Sequence, residues 1–193
     1  MKKIITIFGL VALVFAGCSN PVENSMEPIN LEQNSFNKES VKVIVDPTVI
    51  PTELYTSKEI NGGNGGYIVL FGKYKNVFGD TISVDVKLTI PKGSFIGTKN
   101  ISIRTDKINP CLEFQPASVF NKELKLNVTF KGLTTDRYNL VSGETVFAHI
   151  ADNGIASPVL DEGLAVDKTL KFASVKGASI AHFSRYGFIR KTK

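Results

Sequence analysis

The chain has 193 residues, 23 lysines and arginines against 18 acids, and a formal net charge of +5. Two cysteines, two histidines and no tryptophan exclude a disulfide framework and a Cys/His zinc site, and they weaken glycan stacking on indole rings. The basic residues are spread along the chain with no run of five or more, which argues against a nucleic-acid partner.

In chain order, the first element is a leader. Lys2 and Lys3 precede an uncharged apolar run from Ile4 to Ala16, and Phe15-Ala16-Gly17-Cys18 closes it with small residues before a thiol. This layout reads as a secretory signal peptide, with an apolar run too short to span a hydrocarbon core as a helix. The small-small-Cys ending resembles the lipobox of bacterial lipoproteins, with Phe15 where that family usually has Leu. The resemblance implies that the Cys18 sulfur receives a diacylglycerol, that residues 1–17 are removed and that the new amino terminus is acylated. Two or more acyl chains make a stable membrane anchor where one is marginal. Loss of Lys2 and Lys3 with the leader lowers the net charge from +5 to +3. The expected location is the cell envelope, lipid-anchored. Ser19, rather than Asp, after the cysteine favours the outer membrane where the host has two. With Cys18 consumed by lipid, Cys111 stands alone and no intrachain disulfide can form. Its place before Leu112 and Phe114 in an apolar run predicts a buried, inert thiol, with a reactive or pairing thiol as the alternative.

Residues 18–40 read as the lipidated cysteine and a disordered tether rich in Asn, Ser, Glu and Pro, with no sustained hydrophobic period. A flexible coil of that length spans roughly 25 Å. Residues 41–193 form the expected folded domain. Val41 to Val45 is a β-branched run broken by Asp46-Pro47 and Pro51, hence a short or edge strand. Tyr67 to Phe71 is apolar on both faces, which suggests a deep strand. Ile82, Val84, Val86, Leu88 and Ile90 alternate with polar residues, and so do Leu124, Leu126, Val128 and Phe130. Each pattern is a half-buried strand with its apolar residues in the core. Ile101 and Ile103, Val146 to Ile150, Leu164 to Val166, Leu170 to Ala173 and Ser179 to Ile189 complete the set. Turn signals separate these runs: the glycine cluster Gly62 to Gly66, Phe78-Gly79-Asp80, Pro91-Lys92-Gly93, Asn109-Pro110, Ser142-Gly143 and Asp152-Asn153-Gly154. After the leader no stretch carries helical periodicity, and many short strands at this spacing predict an all-β, antiparallel β-sandwich.

Val86 to Phe95, Leu112 to Leu126 and His182 to Gly187 together resemble segments of the ZU-five-type domains of zonula occludens proteins, ankyrins and Unc-type netrin receptors, which also occur in bacterial lipoproteins. Val86 to Phe95 resembles the strand followed by Ile-Pro-x-Gly. Leu112 to Leu126 resembles the Phe-x-Pro stretch that leads into the next strand, with Ala117-Ser118 where a Gly is common. His182-Phe183-Ser184-Arg185-Tyr186-Gly187 is similar to the His-Phe-Ser-x-Tyr ending of bacterial members. The resemblance covers about Ser57 to Arg190 and implies a β-sandwich with an interaction or scaffolding role. The residues of the first segment also have a plain structural reading. Pro91 cannot donate to a ladder and ends the strand, Gly93 permits a turn with positive φ, and Phe95 folds back as a core plug.

One constellation could carry chemistry. In some relatives a His-Phe-Ser tripeptide cuts itself before the serine. Here Ser184 would attack the Phe183 carbonyl, His182 would take the hydroxyl proton, and water would hydrolyse the ester. The step needs a strained, kinked peptide. The structural alternative, which is preferred, is a regular strand in which His182, Ser184, Tyr186 and Phe188 share one face. No Gly-x-Ser-x-Gly elbow is present, and the glycine cluster lacks the helix and Lys of a phosphate loop. Asp152-Asn153-Gly154 reads as a turn rather than a calcium loop. Asn127-Val128-Thr129 fits a glycosylation acceptor but falls in a strand. No cofactor or metal is expected. The leading reading is a non-enzymatic lipoprotein held to the membrane through Cys18, whose β-sandwich binds an unidentified protein or glycan, or has a structural role. The alternatives are a self-cleaving module using Ser184 and a carbohydrate-binding or adhesion module.

Overall fold

The computed structural model describes residues 49–191. The leader, Cys18, the tether and the Val41–Val45 run lie outside them. The described residues contain no helix and form eleven strands. These are β1 (Tyr55–Asn61), β2 (Gly66–Lys75), β3 (Thr81–Ile90), β4 (Thr98–Thr105), β5 (Cys111–Gln115) and β6 (Val119–Lys131). They continue with β7 (Thr145–Ile150), β8 (Ala156–Pro158), β9 (Gly163–Asp167), β10 (Phe172–His182) and β11 (Arg185–Arg190). One sheet has the order β1-β4-β5-β11-β7-β8 and the other β2-β3-β6-β10-β9. Every pairing is antiparallel.

The alternating pattern dictates the register. In β3 and β6 the apolar residues face inward as cross-strand pairs, Val84 opposite Phe130, Val86 opposite Val128 and Leu88 opposite Leu126, and all six are buried. The polar residues between them point to water. A one-residue slip would turn the whole apolar set outward, so burial itself specifies the pairing. Both sheets feed one core. Ile60, Ile101, Ile103, Leu112, Phe147 and Phe188 come from one, and Ile68, Leu70, Ile82 and Ile180 from the other. The described residues form an all-β sandwich of two antiparallel sheets, as the strand periodicity predicts. Pro91 follows the last residue of β3, Gly93 has φ +82°, and Phe95 is buried. The Ser94 hydroxyl donates to the Pro91 carbonyl at 2.6 Å and closes that turn.

Three expectations change. The Tyr67–Phe71 run lies not deep in the molecule but in β2, the edge strand of its sheet, where Ile68 and Leu70 are buried while Tyr67, Val69 and Phe71 face solvent. The Leu170–Ala173 run is half turn: Leu170 is exposed, its amide bonded to the Asp167 carboxylate, and β10 begins at Phe172. The Ser179–Ile189 run is not one strand. It is broken at Phe183-Ser184 into β10 and β11, which belong to different sheets.

Candidate functional site

The break at Phe183-Ser184 places His182, Phe183 and Ser184 at the corner where the chain leaves one sheet and joins the other. Alternation cannot continue through such a corner, because a strand that changes sheet must keep both its ends packed on the core. Phe183 fills that need. It is buried, stacked on Phe114 with ring centres 5.6 Å apart and edge-on to Phe120 at 4.6 Å. Phe120 reaches Phe95 at 6.0 Å, and Phe114 meets Tyr186 at 5.9 Å. Phe95, the Phe114–Phe120 pair and the Phe183–Tyr186 pair come from the three separate motif segments, and the fold gathers them into one aromatic corner. Edge-to-face and offset pairs of this kind add about 0.5–1.5 kcal/mol each beyond area burial.

The backbone of the corner is well paired. The Phe183 amide donates to the Ser118 carbonyl at 2.8 Å, and the Phe114 amide donates to the Ser184 carbonyl at 2.9 Å. The Tyr186 hydroxyl donates to the His182 carbonyl at 2.7 Å. Burial pushes the Tyr186 phenol up to about 12, so it stays a donor across the physiological range. A regular strand, required by the preferred sequence reading, is therefore replaced by a bend, with the Phe183 amide and the Ser184 carbonyl paired on either side of it.

The side chains are arranged less simply. The His182 ring does not hydrogen-bond Ser184; among the described residues its close neighbour is His149, edge-on with ring centres 4.4 Å apart. Tyr186 lies 5.4 Å from His149 and 6.1 Å from His182. His149 sits in β7 directly opposite Tyr186 of β11. Its pKa is lowered, first by burial and then by the charge of His182, so it favours the neutral ring at neutral pH. The chain therefore brings both of its histidines together. Sequence reasoning did not find this pair, because His149 lies in β7 of one sheet and His182 at the end of β10 in the other, and they meet only where the chain crosses between the sheets. No local motif carries that signal, which requires the strand order of both sheets.

Ser184 is half-buried and lines a cleft of about 250 Å³ with Glu113, Phe114, Gln115, Asp152, Phe183 and Arg185. The Gln115–Pro116 peptide beside it is cis. Self-cleavage needs a base on the Ser184 hydroxyl. The histidine that would serve is turned toward another ring, so the arrangement as it stands is a packed corner with a shallow polar cleft. Among the described residues no group of three or more His, Cys, Asp or Glu side chains gathers as a metal site.

Other singled-out residues fall into turns and core. Asp152-Asn153-Gly154 is a turn in which the Gly154 amide bonds the Ala151 carbonyl and the Asn153 side chain accepts from Ile155. Asn127 lies in β6, where its side chain accepts from the Gly177 amide. Cys111 is a buried free thiol whose pKa burial pushes up to about 12, too high for a thiolate nucleophile. Comparison with known proteins adds no relative: no family model, curated protein or solved structure matches the chain.

Proposed function

We propose that the chain is a cell-envelope lipoprotein, anchored through lipid on Cys18, whose β-sandwich is a non-enzymatic binding or structural module of the ZU-five type. The observation that carries this reading is the leader, with Lys2 and Lys3, the apolar run and the Ala16-Gly17-Cys18 exit standing ahead of an all-β domain. The convergence of the three motif segments on one aromatic corner supports the ZU-five part. Outer-membrane placement follows from Ser19 in a host with two membranes.

Self-cleavage between Phe183 and Ser184 is the second reading, and one observation favours it: the chain bends at that bond instead of running on as a strand. The orientation of His182 toward His149 supports the structural role. A denaturing intact-mass measurement on the native protein tests both. The lipoprotein reading expects a chain starting at Cys18, carrying acyl chains and ending at Lys193. A mature chain without acyl mass would overturn the anchor. A fragment beginning at Ser184, abolished in Ser184→Ala, would establish cleavage.

A further inference from the structure

Strand β2 is an edge strand, and its outward side chains are Tyr67, Val69 and Phe71, followed by Lys73 and Lys75. The first three are 54%, 45% and 74% exposed, a continuous apolar stripe on the outer face of the edge strand. Such an edge invites aggregation unless it is charged or covered. This one is ringed by cations. Lys58 Nζ lies 4.8 Å and Lys87 Nζ 5.4 Å from the centre of the Tyr67 ring. Among the described residues, the five ion pairs use none of the lysines at 58, 73, 75 and 87. Asp85 lies opposite Phe71, and Glu53 is paired with Lys107.

A second observation concerns how the chain reaches the domain. The Lys75 amide donates to the Pro51 carbonyl at 2.8 Å, and Leu54 packs against Gly72. Pro51 therefore sits at the Lys75 end of this strand and Leu54 on its core-facing side, with Val49 and Ile50 exposed.

We infer that the β2 edge docks on an anionic phospholipid surface, with the Tyr67–Val69–Phe71 stripe at the headgroup–acyl boundary and the surrounding lysines on lipid phosphates. Rings with apolar bodies and lysines with long apolar stems suit that boundary. Charge complementarity selects an anionic surface over a neutral one. A neutral glycan fits less well, because lysines already cover the Tyr67 ring. The orientation rests on the reading that Cys18 is acylated; the affinity of the edge for lipid does not.

The test uses the mature chain from residue 18 with Cys18→Ser, so that no acyl chain contributes. It is sedimented with vesicles of phosphatidylcholine alone and of phosphatidylcholine with about one-third phosphatidylglycerol. Binding is expected to the anionic vesicles and to weaken with salt. Tyr67→Ser with Phe71→Ser should lower partition at least about tenfold. Lys73→Gln and Lys87→Gln should each lower it about fivefold, and Lys176→Gln, at the far side of the sheet, should not. In the acylated protein in the same vesicles, an environment-sensitive dye on Phe71→Cys should shift to the blue and one on Lys176→Cys should not. Equal binding to neutral vesicles, indifference to the edge substitutions, or capture by a soluble acidic polysaccharide without vesicle binding would overturn the inference. Failure of the acylation reading shows separately, in the mass of the native protein.

Discussion

Gly187 offers a sharp test of how the corner is built. It lies in β11 between β5 and β7, opposite both Cys111 and Ala148. A Cβ added there would sit 2.2 Å from Cys111 Sγ, 3.0 Å from the Pro110 carbonyl oxygen and 3.1 Å from Cys111 Cα. Non-bonded heavy atoms rest at about 3.5–4 Å, so the sulfur must move by more than an ångström inside a close-packed interior. Gly187→Ala should therefore cost about 2–3 kcal/mol, read as a Tm drop of roughly 5–10 °C. Cys111→Ala alone removes one buried atom and should cost about 1 kcal/mol. In the double variant the worst contact is gone while the two backbone contacts remain tight, so rescue should be partial, with a coupling of about 1–2 kcal/mol. Urea titrations of the four proteins, followed by circular dichroism, measure that coupling. Additivity within about 0.5 kcal/mol would mean that Cys111 does not face Gly187, and the β5–β11 register would be wrong.

Two further predictions bear on core and charge. Val86→Ala or Leu126→Ala, at fully buried inward positions, should cost about 2–4 kcal/mol in urea titrations, whereas Thr89→Ala on the exposed face should change little; similar small losses at all three would refute the assignment of faces. His149 has a folded-state pKa below its unfolded value, by burial first and by His182 second. The unfolded chain therefore takes up the proton first as pH falls. Stability should be full above about pH 6.5 and decline below it, until the pH passes the folded-state pKa. His149→Gln should flatten that decline in melts taken between about pH 7.5 and 5. A decline of the same size in the variant would assign it to the carboxylates instead.

Much of the sandwich is legible in the sequence because burial on one side of a sheet imposes a period of two. The Ile82–Ile90 and Leu124–Phe130 alternations are that imprint, and Pro91 with Gly93 marks the end of a strand by chemistry that is local. The misreadings have one cause, that a local apolar pattern is shared by structures it does not distinguish. Tyr67 to Phe71 is apolar on both faces, and apolarity alone does not tell a deep strand from an edge strand with a sticky outer face. Ser179 to Ile189 alternates well enough to look continuous, but the alternation on either side of Phe183 belongs to two different sheets. The histidine pair was illegible for a related reason, since a contact between strands of different sheets depends on strand order and sheet packing, which periodicity does not encode.

That strand order also bears on what cleavage at Phe183-Ser184 could accomplish. Read as a sequence, the segment from Ser184 to Lys193 is a terminal strand. In the fold β11 lies between β5 and β7, pairing with β5 from Arg185 to Gly187 and with β7 along its whole length. Tyr186 and Phe188 anchor it in the core beside Phe147. A cut before Ser184 would leave this strand held by two ladders and by buried aromatic side chains, so the fragment would stay in place under native conditions. Gel filtration of the native protein would register no change, and loss of the fragment would require unfolding the sheet that holds it. Only a denaturing measurement distinguishes a nicked from an intact corner. A nicked chain should also unfold at lower urea concentration than Ser184→Ala, because the severed β11 gains chain entropy on release. Equal midpoints for wild type and Ser184→Ala, together with a single mass through Lys193, would leave His182, Phe183 and Ser184 with the structural role that their packing supports.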